Sequence, residues 1–280
     1  MSGRPYRTPV HREGSSMNKI EVMQRLKAVS NERYRHTLLR NGVSGTAFGV
    51  SYAELYKLQK QLGTDQELAE QLWEMHNHDA RILATLIADP ARMTVSKLDQ
   101  WVKAATNQIM RDAIGNVAIN SKSGRRCAEK WITHKTDGIA ACGWGVLGAL
   151  AERPDVFTNA ELIRYLKQIR KEIGGERNRV KHGMNQTIIG IGVRNPEMRK
   201  LALDVAEAIG KVVVDHGETS CKTPDAGAYI LKVLAHRRKM NKETIAAPSK
   251  KPAARKAASK KPAARTGAAR KAPRKRAAAR

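Results

Sequence analysis

From Asn18 to about Asn241 the apolar residues recur at helical spacing, in short runs separated by short turns. After Thr158, Leu162, Ile163, Leu166, Ile169 and Ile173 fall on one face. After Asn195-Pro196, Met198, Leu201, Val205 and Ile209 do the same. Pro196 suits a first helical turn, where its missing N–H would have no partner anyway. Ser51 with Glu54, Thr64 with Glu67 and Thr158 with Glu161 have the spacing of capping boxes, in which a hydroxyl and a carboxylate each take up an orphan amide. The same reasoning predicts further helices near 20–29, 31–40, 79–88, 96–105, 108–120, 124–133, 137–152, 177–191 and 223–239. Thr223 is expected to cap the last of these, with Pro224 in its first turn. Val212-Val213-Val214 is the one strand signal, and it is too short to build a sheet.

About a dozen short helices make five or six pairs of roughly forty residues, the period of HEAT-type repeats. Each pair hides one face against its neighbour, and stacking curves the array. The expected fold is therefore all-α, a right-handed α-α superhelix of HEAT-like helical pairs; a compact helical bundle is the alternative. With two Phe in the chain the core is expected to be aliphatic. Residues 1–17 are expected to form a disordered extension, 18–241 the helical-repeat domain and 242–280 a disordered tail.

Charge adds a partner to this picture. The last 32 residues, Ser249 to Arg280, hold 13 Lys or Arg, 12 Ala and no acid. Such a segment has too little apolar area to offset its ordering entropy. The run Lys-Lys-Pro-Ala-Ala-Arg occurs twice, as Lys250, Lys251 to Arg255 and as Lys260, Lys261 to Arg265. Spaced cations on a flexible chain suit a phosphate backbone, where they displace condensed counterions. The whole chain is +26, and residues 1–248 still carry 39 basic against 26 acidic side chains, so the body is basic too. A nucleic-acid partner is the leading expectation. Three widely spaced cysteines, Cys127, Cys142 and Cys221, argue against a disulfide framework and suit a reducing cytosol. No apolar run approaches the ~18 residues of a membrane span. The start of the chain has no apolar centre, so no secretory signal is read there, and Met17 is a second candidate start.

Asp112 is the acid that stands out. It lies early in the 108–120 helix directly after Arg111, where a carboxylate ordinarily just complements the helix dipole. Cations gather in three places: Arg125, Arg126 and Lys130 with His134 and Lys135; Arg177, Arg179, Lys181 and His182; and Lys232, His236, Arg237, Arg238 and Lys239. Recurring at helix ends in successive pairs, they are expected to form one basic stripe. Asp215-His216-Gly217-Glu218 with Cys221 fits no common zinc spacing, so no metal is expected. The glycines between Gly143 and Gly148 lack a preceding strand and a phosphate-loop lysine, so they are expected to permit close helix packing. Trp73, Trp101, Trp131 and Trp144 are core candidates, of which one could face a base.

Several of these stretches together resemble the AlkD-like DNA alkylation repair proteins. Leu72-Trp73-Glu74-Met75-His76-Asn77-His78-Asp79-Ala80-Arg81-Ile82-Leu83-Ala84 is similar to the family's N-terminal signature, with Phe48-Gly49-Val50-Ser51 before it and Ala88-Asp89-Pro90 after it. Asn178-Arg179-Val180 through Met184-Asn185, and the stretch from Asp215 to Ala226, resemble one branch of the family. The resemblance implies a helical solenoid with a basic DNA-binding face and, in characterised members, excision of ring-nitrogen-methylated purines. It implies that Asp112 is the carboxylate that stabilises an oxocarbenium-like sugar. It also places Asn185 where a second cleft aromatic is usual, Ala140-Ala141 where an arginine is usual and Asn107-Gln108 where the first aromatic is usual. Those departures leave open, as the second reading, DNA binding without excision, or action on another lesion or structure. The expected partner is double-stranded DNA, alkylated or distorted, bound by a monomer on a bacterial nucleoid. A protein-interaction scaffold is the third reading, disfavoured by the basic body. Hydrolysis needs only water, so no cofactor is expected.

Overall fold

The computed structural model describes residues 17–217 and 221–246, with side chains to Met240. The chain forms two units, Met1–Lys239 and Met240–Arg280, and of the second only helical residues up to Ala246 are described. The predicted extension and the tail cations Lys250, Lys251, Arg255, Lys260, Lys261 and Arg265 lie outside the described residues.

The described residues form thirteen α-helices. They are α1 (Lys19–Ala28), α2 (Glu32–Arg40), α3 (Tyr52–Leu62), α4 (Gln66–Trp73), α5 (His78–Ile87), α6 (Val95–Ala104) and α7 (Gln108–Asn120). There follow α8 (Gly124–Trp131), α9 (Asp137–Leu150), α10 (Asn159–Glu172), α11 (Asn178–Gly192), α12 (Pro196–Ile209) and α13 (Ala226–Ala246). No strand forms among the described residues; Thr46 and Asn77 share an isolated bridge, and Val212–Val214 is irregular. The fold is all-α and HEAT-like.

Helices α3, α5, α7, α9 and α11 pack in series as one layer, each against the next. A second layer runs α4, α6, α8, α10 and α12. Lys97–Glu70 ties α6 to α4, and Arg125–Glu161 ties α8 to α10. α9 lies at the centre, buried from Gly138 to Leu150 on nearly every side. Its small residues make that possible. A methyl group on Gly143 would lie 2.6 Å from the Ile132 amide nitrogen, and one on Gly148 2.9 Å from Thr187 Cα. The Gly143–Gly148 run is thus a packing device. All four tryptophans are core residues, with Trp73 and Trp101 stacked at 4.3 Å, so none is free to face a base.

Helix starts follow local chemistry, with two corrections. Thr158 and Glu161 form the predicted reciprocal capping box, and Asn18 with Glu21 forms another at α1. Ser51 accepts the Glu54 amide, while the Glu54 carboxylate turns to Lys57. The cap of α4 is Asp65, not Thr64; its carboxylate accepts from the Leu68 amide at 2.9 Å, and a charged acceptor complements the helix N-terminus better than a hydroxyl. Thr223 does not cap α13, because His182 and His216 occupy its hydroxyl; Asp225 accepts from the Ala228 amide instead.

The Phe48-Gly49-Val50 segment is held by one side chain. Buried Asp79 accepts from the amides of Phe48 (2.6 Å), Gly49 (3.2 Å) and Val50 (2.9 Å). Gly49 has φ +76°, and a methyl there would lie 2.6 Å from the Arg35 amide nitrogen, so only glycine fits. Asp79→Ala leaves three buried amides without an acceptor. It is predicted to lower unfolding free energy by about 3 kcal/mol, a Tm drop of about 6–12 °C for a domain of this size. A loss under about 1 kcal/mol in denaturant titrations would show that the segment is held by something else.

Candidate nucleic-acid interface

Asp112 sits in the second turn of α7, a helix capped by Asn107, whose Oδ1 accepts from the Met110 amide at 3.0 Å. One turn back, Gln108 Nε2 donates to Asp112 Oδ1 at 2.7 Å. Asp112 is exposed, yet enough protein surrounds its carboxyl to desolvate it in part. That desolvation pushes its carboxyl above the ordinary carboxylate range; the Gln108 hydrogen bond and the charges of Arg179 and Arg111 oppose the shift.

Residues distant in sequence come together around Asp112. Arg179 comes from the first turn of α11. Arg111 is half-buried; its Nη2 donates to the Ala105 carbonyl at 2.7 Å, and its guanidinium lies where a methyl group on Gly138 would be 2.7 Å away. Tyr52, at the start of α3, has its hydroxyl pKa pushed up to about 12 by burial, then by Tyr34, Tyr56 and Asp112. Tyr34, on α2, packs with Ile109 of α7 around Leu38, Val43 and Ala47. Three buried polar atoms here have no hydrogen-bond partner among the described residues: Gln108 Oε1, Arg111 Nε and Asp137 Oδ1. A carboxylate, two guanidiniums and phenol rings thus meet beside unmatched donors and acceptors, a surface suited to a polar, anionic ligand carrying a local positive charge.

The predicted single basic stripe divides. Arg111 and Arg179 lie close enough to Asp112 for their charges to act on it, and His182 lies near Arg179. Lys181 is half-buried beside them, and Lys135 is exposed. Arg177 donates to the carbonyls of His134 and Lys135 and so fixes the α8–α9 loop. His134 itself accepts the Thr136 amide at 2.9 Å. Arg125, Arg126 and Lys130 lie on α8, in the other layer. That helix buries Gly124, Cys127, Ala128 and Trp131, which turns its cations away from the Asp112 side. Arg125 is used up by Glu129, the Val156 carbonyl and Glu161, and Lys130 by Asp99. Arg126 is exposed.

The described parts of the 215–226 stretch, residues 215–217 and 221–226, are tied to α11. Asn178 pairs with the Asp215 backbone through both amide atoms, and Asn185, itself buried, donates to the Pro224 carbonyl at 3.0 Å. Between them His182 Nδ1 meets Thr223 Oγ1 at 3.0 Å, and His216 Nε2 meets the same hydroxyl at 2.9 Å. Burial, then His216 and Arg179, hold the His182 pKa down. No group of His, Cys, Asp and Glu among the described residues is placed to hold a metal. No helix among them is long and apolar enough to cross a membrane.

Comparison with known proteins agrees with this architecture. Residues 22–230 match the family model described as DNA alkylation repair enzyme. An uncharacterised protein of Listeria innocua is 30% identical over 189 residues, covering 66% of this chain and 82% of that one. A counterpart in Listeria monocytogenes is 29% identical over the same length. A solved structure described as a new family related to the HEAT-like repeat DNA glycosylases, with affinity for branched DNA structures, superposes with a TM-score of 0.72. It is 26% identical, and the match covers 79% of this chain and 96% of that one.

The raised pKa of Asp112 makes a signed prediction. A folded pKa above the unfolded one means that this group's contribution to stability is fully present below the unfolded value and is lost as pH rises through the folded value. Asp112→Asn is therefore predicted to keep or raise the Tm at neutral pH. Carboxyl NMR titration should place Asp112 above its ordinary value of 3.8, and higher still in Arg179→Ala, which removes an opposing charge. An Asp112 titration at or below the ordinary value, or unmoved in Arg179→Ala, would overturn this electrostatic picture.

Proposed function

We propose a function from a family premise: the chain belongs to the DNA alkylation repair enzyme family. It binds duplex DNA across the layer that carries Asp112, and it holds a distorted or branched point of the duplex over that carboxylate. The observation that carries this reading is an exposed acid on which the charges of Arg179 and Arg111 act. Arginines on this face suit phosphates. A carboxylate among them repels phosphate, so Asp112 meets another part of the ligand: a sugar or base that carries positive charge.

A ring-nitrogen-methylated purine supplies that charge. When the N-glycosidic bond breaks, the purine leaves with the bonding electron pair and becomes neutral. The sugar is left oxocarbenium-like, water adds to C1′, and the water's proton passes to solvent. Asp112 stabilises the cationic sugar electrostatically, and a leaving group already charged needs no strong general acid. Tyr52 and Tyr34 supply the aromatic walls that Asn107-Gln108 and Asn185 do not.

A second reading has support of its own. Gln108 ties down an oxygen of Asp112, and the solved relative is described by its affinity for branched DNA. In that reading the same site holds the branch without cutting a glycosidic bond.

Base release from methylated duplex separates the two. Excision predicts release by the wild-type protein and a fall of about 10²–10³-fold in Asp112→Asn. No release from either protein, with tight binding to branched DNA retained, would leave recognition alone. The 249–280 segment is assigned sequence-independent phosphate binding. Its deletion should weaken binding to all DNA alike and flatten the salt dependence by roughly 0.7–0.9 units of slope for each phosphate no longer neutralised. Disappearance of the preference for branched DNA on deletion, with plain-duplex affinity intact, would contradict that role.

A further inference from the structure

α10 carries charge of one sign on the side that faces away from the core. Leu162, Leu166 and Ile169 are buried, and Arg164, Lys167, Arg170 and Lys171 are exposed. Arg164, Lys167 and Lys171 follow one another at helical spacing along a single stripe. The helix's acids do not neutralise them. Glu161 is taken by Arg125 at 2.6 Å and by the Thr158 amide and hydroxyl, and its nearest approach to Arg164 is 3.9 Å. Glu172 accepts from Gln168 at 2.9 Å. A merely solvated face mixes its signs. The neighbouring α12 does so, with exposed Lys200, Asp204 and Glu207.

This stripe cannot serve the duplex that lies on Asp112. Asp112 faces out from the layer of α3, α7 and α11, and α10 belongs to the other. Each helix layer is about 10–12 Å thick, so a straight duplex touching one side does not reach the other. A branched DNA has more than one duplex arm. Arg164 to Lys171 spans about 10 Å along the helix, which matches about three successive phosphates of one strand.

We propose that the outward stripe of α10 is a second phosphate-binding surface, which takes a second duplex arm of a branched DNA whose branch point lies over Asp112. It rests on the reading that the Asp112 layer binds DNA, and it adds the means by which a branch is told from a plain duplex. One arm engages one face; a second arm, tethered to the first, meets α10 at high effective concentration.

The test uses the full chain, a four-way DNA junction and a blunt duplex of the same arm sequence, with anisotropy titrations over a salt series. Both positions in Lys167→Glu/Lys171→Glu are exposed, so the fold is expected to stand, and circular dichroism checks it. Junction affinity should fall about tenfold or more, with a salt slope shallower by about two units because two phosphates are no longer neutralised. Blunt-duplex affinity should stay within about twofold, since that duplex uses the other layer. Junction binding unchanged in affinity and slope would overturn the α10 assignment alone. Equal falls for junction and duplex would also overturn it, by showing that α10 belongs to a general binding face. Wild-type protein that holds the junction no more tightly than the duplex would overturn both this assignment and the branch recognition beneath it.

Discussion

The three hydrogen bonds that Asp79 accepts from the amides of Phe48, Gly49 and Val50 are the constraint on which the surroundings of Asp112 depend. Those residues join α2 to α3, and each of these helices contributes one tyrosine. With Asp79 in place the chain passes close under α2, where Gly49 has room for no side chain, and enters α3 with Ser51 as its cap. Tyr34 and Tyr52 are thereby fixed against α7 from residues sixty and more positions away. A buried carboxylate that satisfies three amides at once is strong and directional. It does for this segment what a helix or a ladder would do elsewhere.

Around Asp112 burial and charge compete, and burial has the larger effect. Burial disfavours an ionised Asp112, while Gln108, Arg179 and Arg111 favour it. The arginines reach the carboxylate from two helices, and Gly138 leaves the space in which Arg111 lies along the start of α9. The glycines of α9 and α11 that bring backbones together elsewhere in the layer serve the same end. Close packing of α7, α9 and α11 sets Asp112 and Arg179 near one another, although 67 residues separate them in the chain.

Much of the fold was legible because it is locally encoded. Periodic apolar residues and capping side chains predicted nearly every helix within a residue or two. Even the errors were local: Asp65 outcompetes Thr64 because it is charged, and Thr223 is drawn from its cap by two histidines. Asp112 is singled out mainly by resemblance, since an acid early in a helix is otherwise ordinary. The approach of Tyr34 and Tyr52 to α7 was not legible. The usual aromatic positions near Asn107 and Asn185 hold none, and nothing in the neighbourhood of Tyr52 says that it lies against a helix beginning at Gln108. The stripe failed for a related reason. Spacing shows that Arg125, Arg126 and Lys130 share a helix, but not which layer that helix joins. Arg125 is a strut between α8 and α10.

In the proposed function DNA meets this chain with a sugar, not a phosphate, at Asp112. The structure of Asp112→Asn bound to a branched duplex decides between the two. A deoxyribose is expected at the distorted point within about 3–4 Å of the residue 112 side chain, with Arg179 on an adjoining phosphate. A duplex that leaves residue 112 uncovered, or that lays a phosphate against it, would overturn that placement.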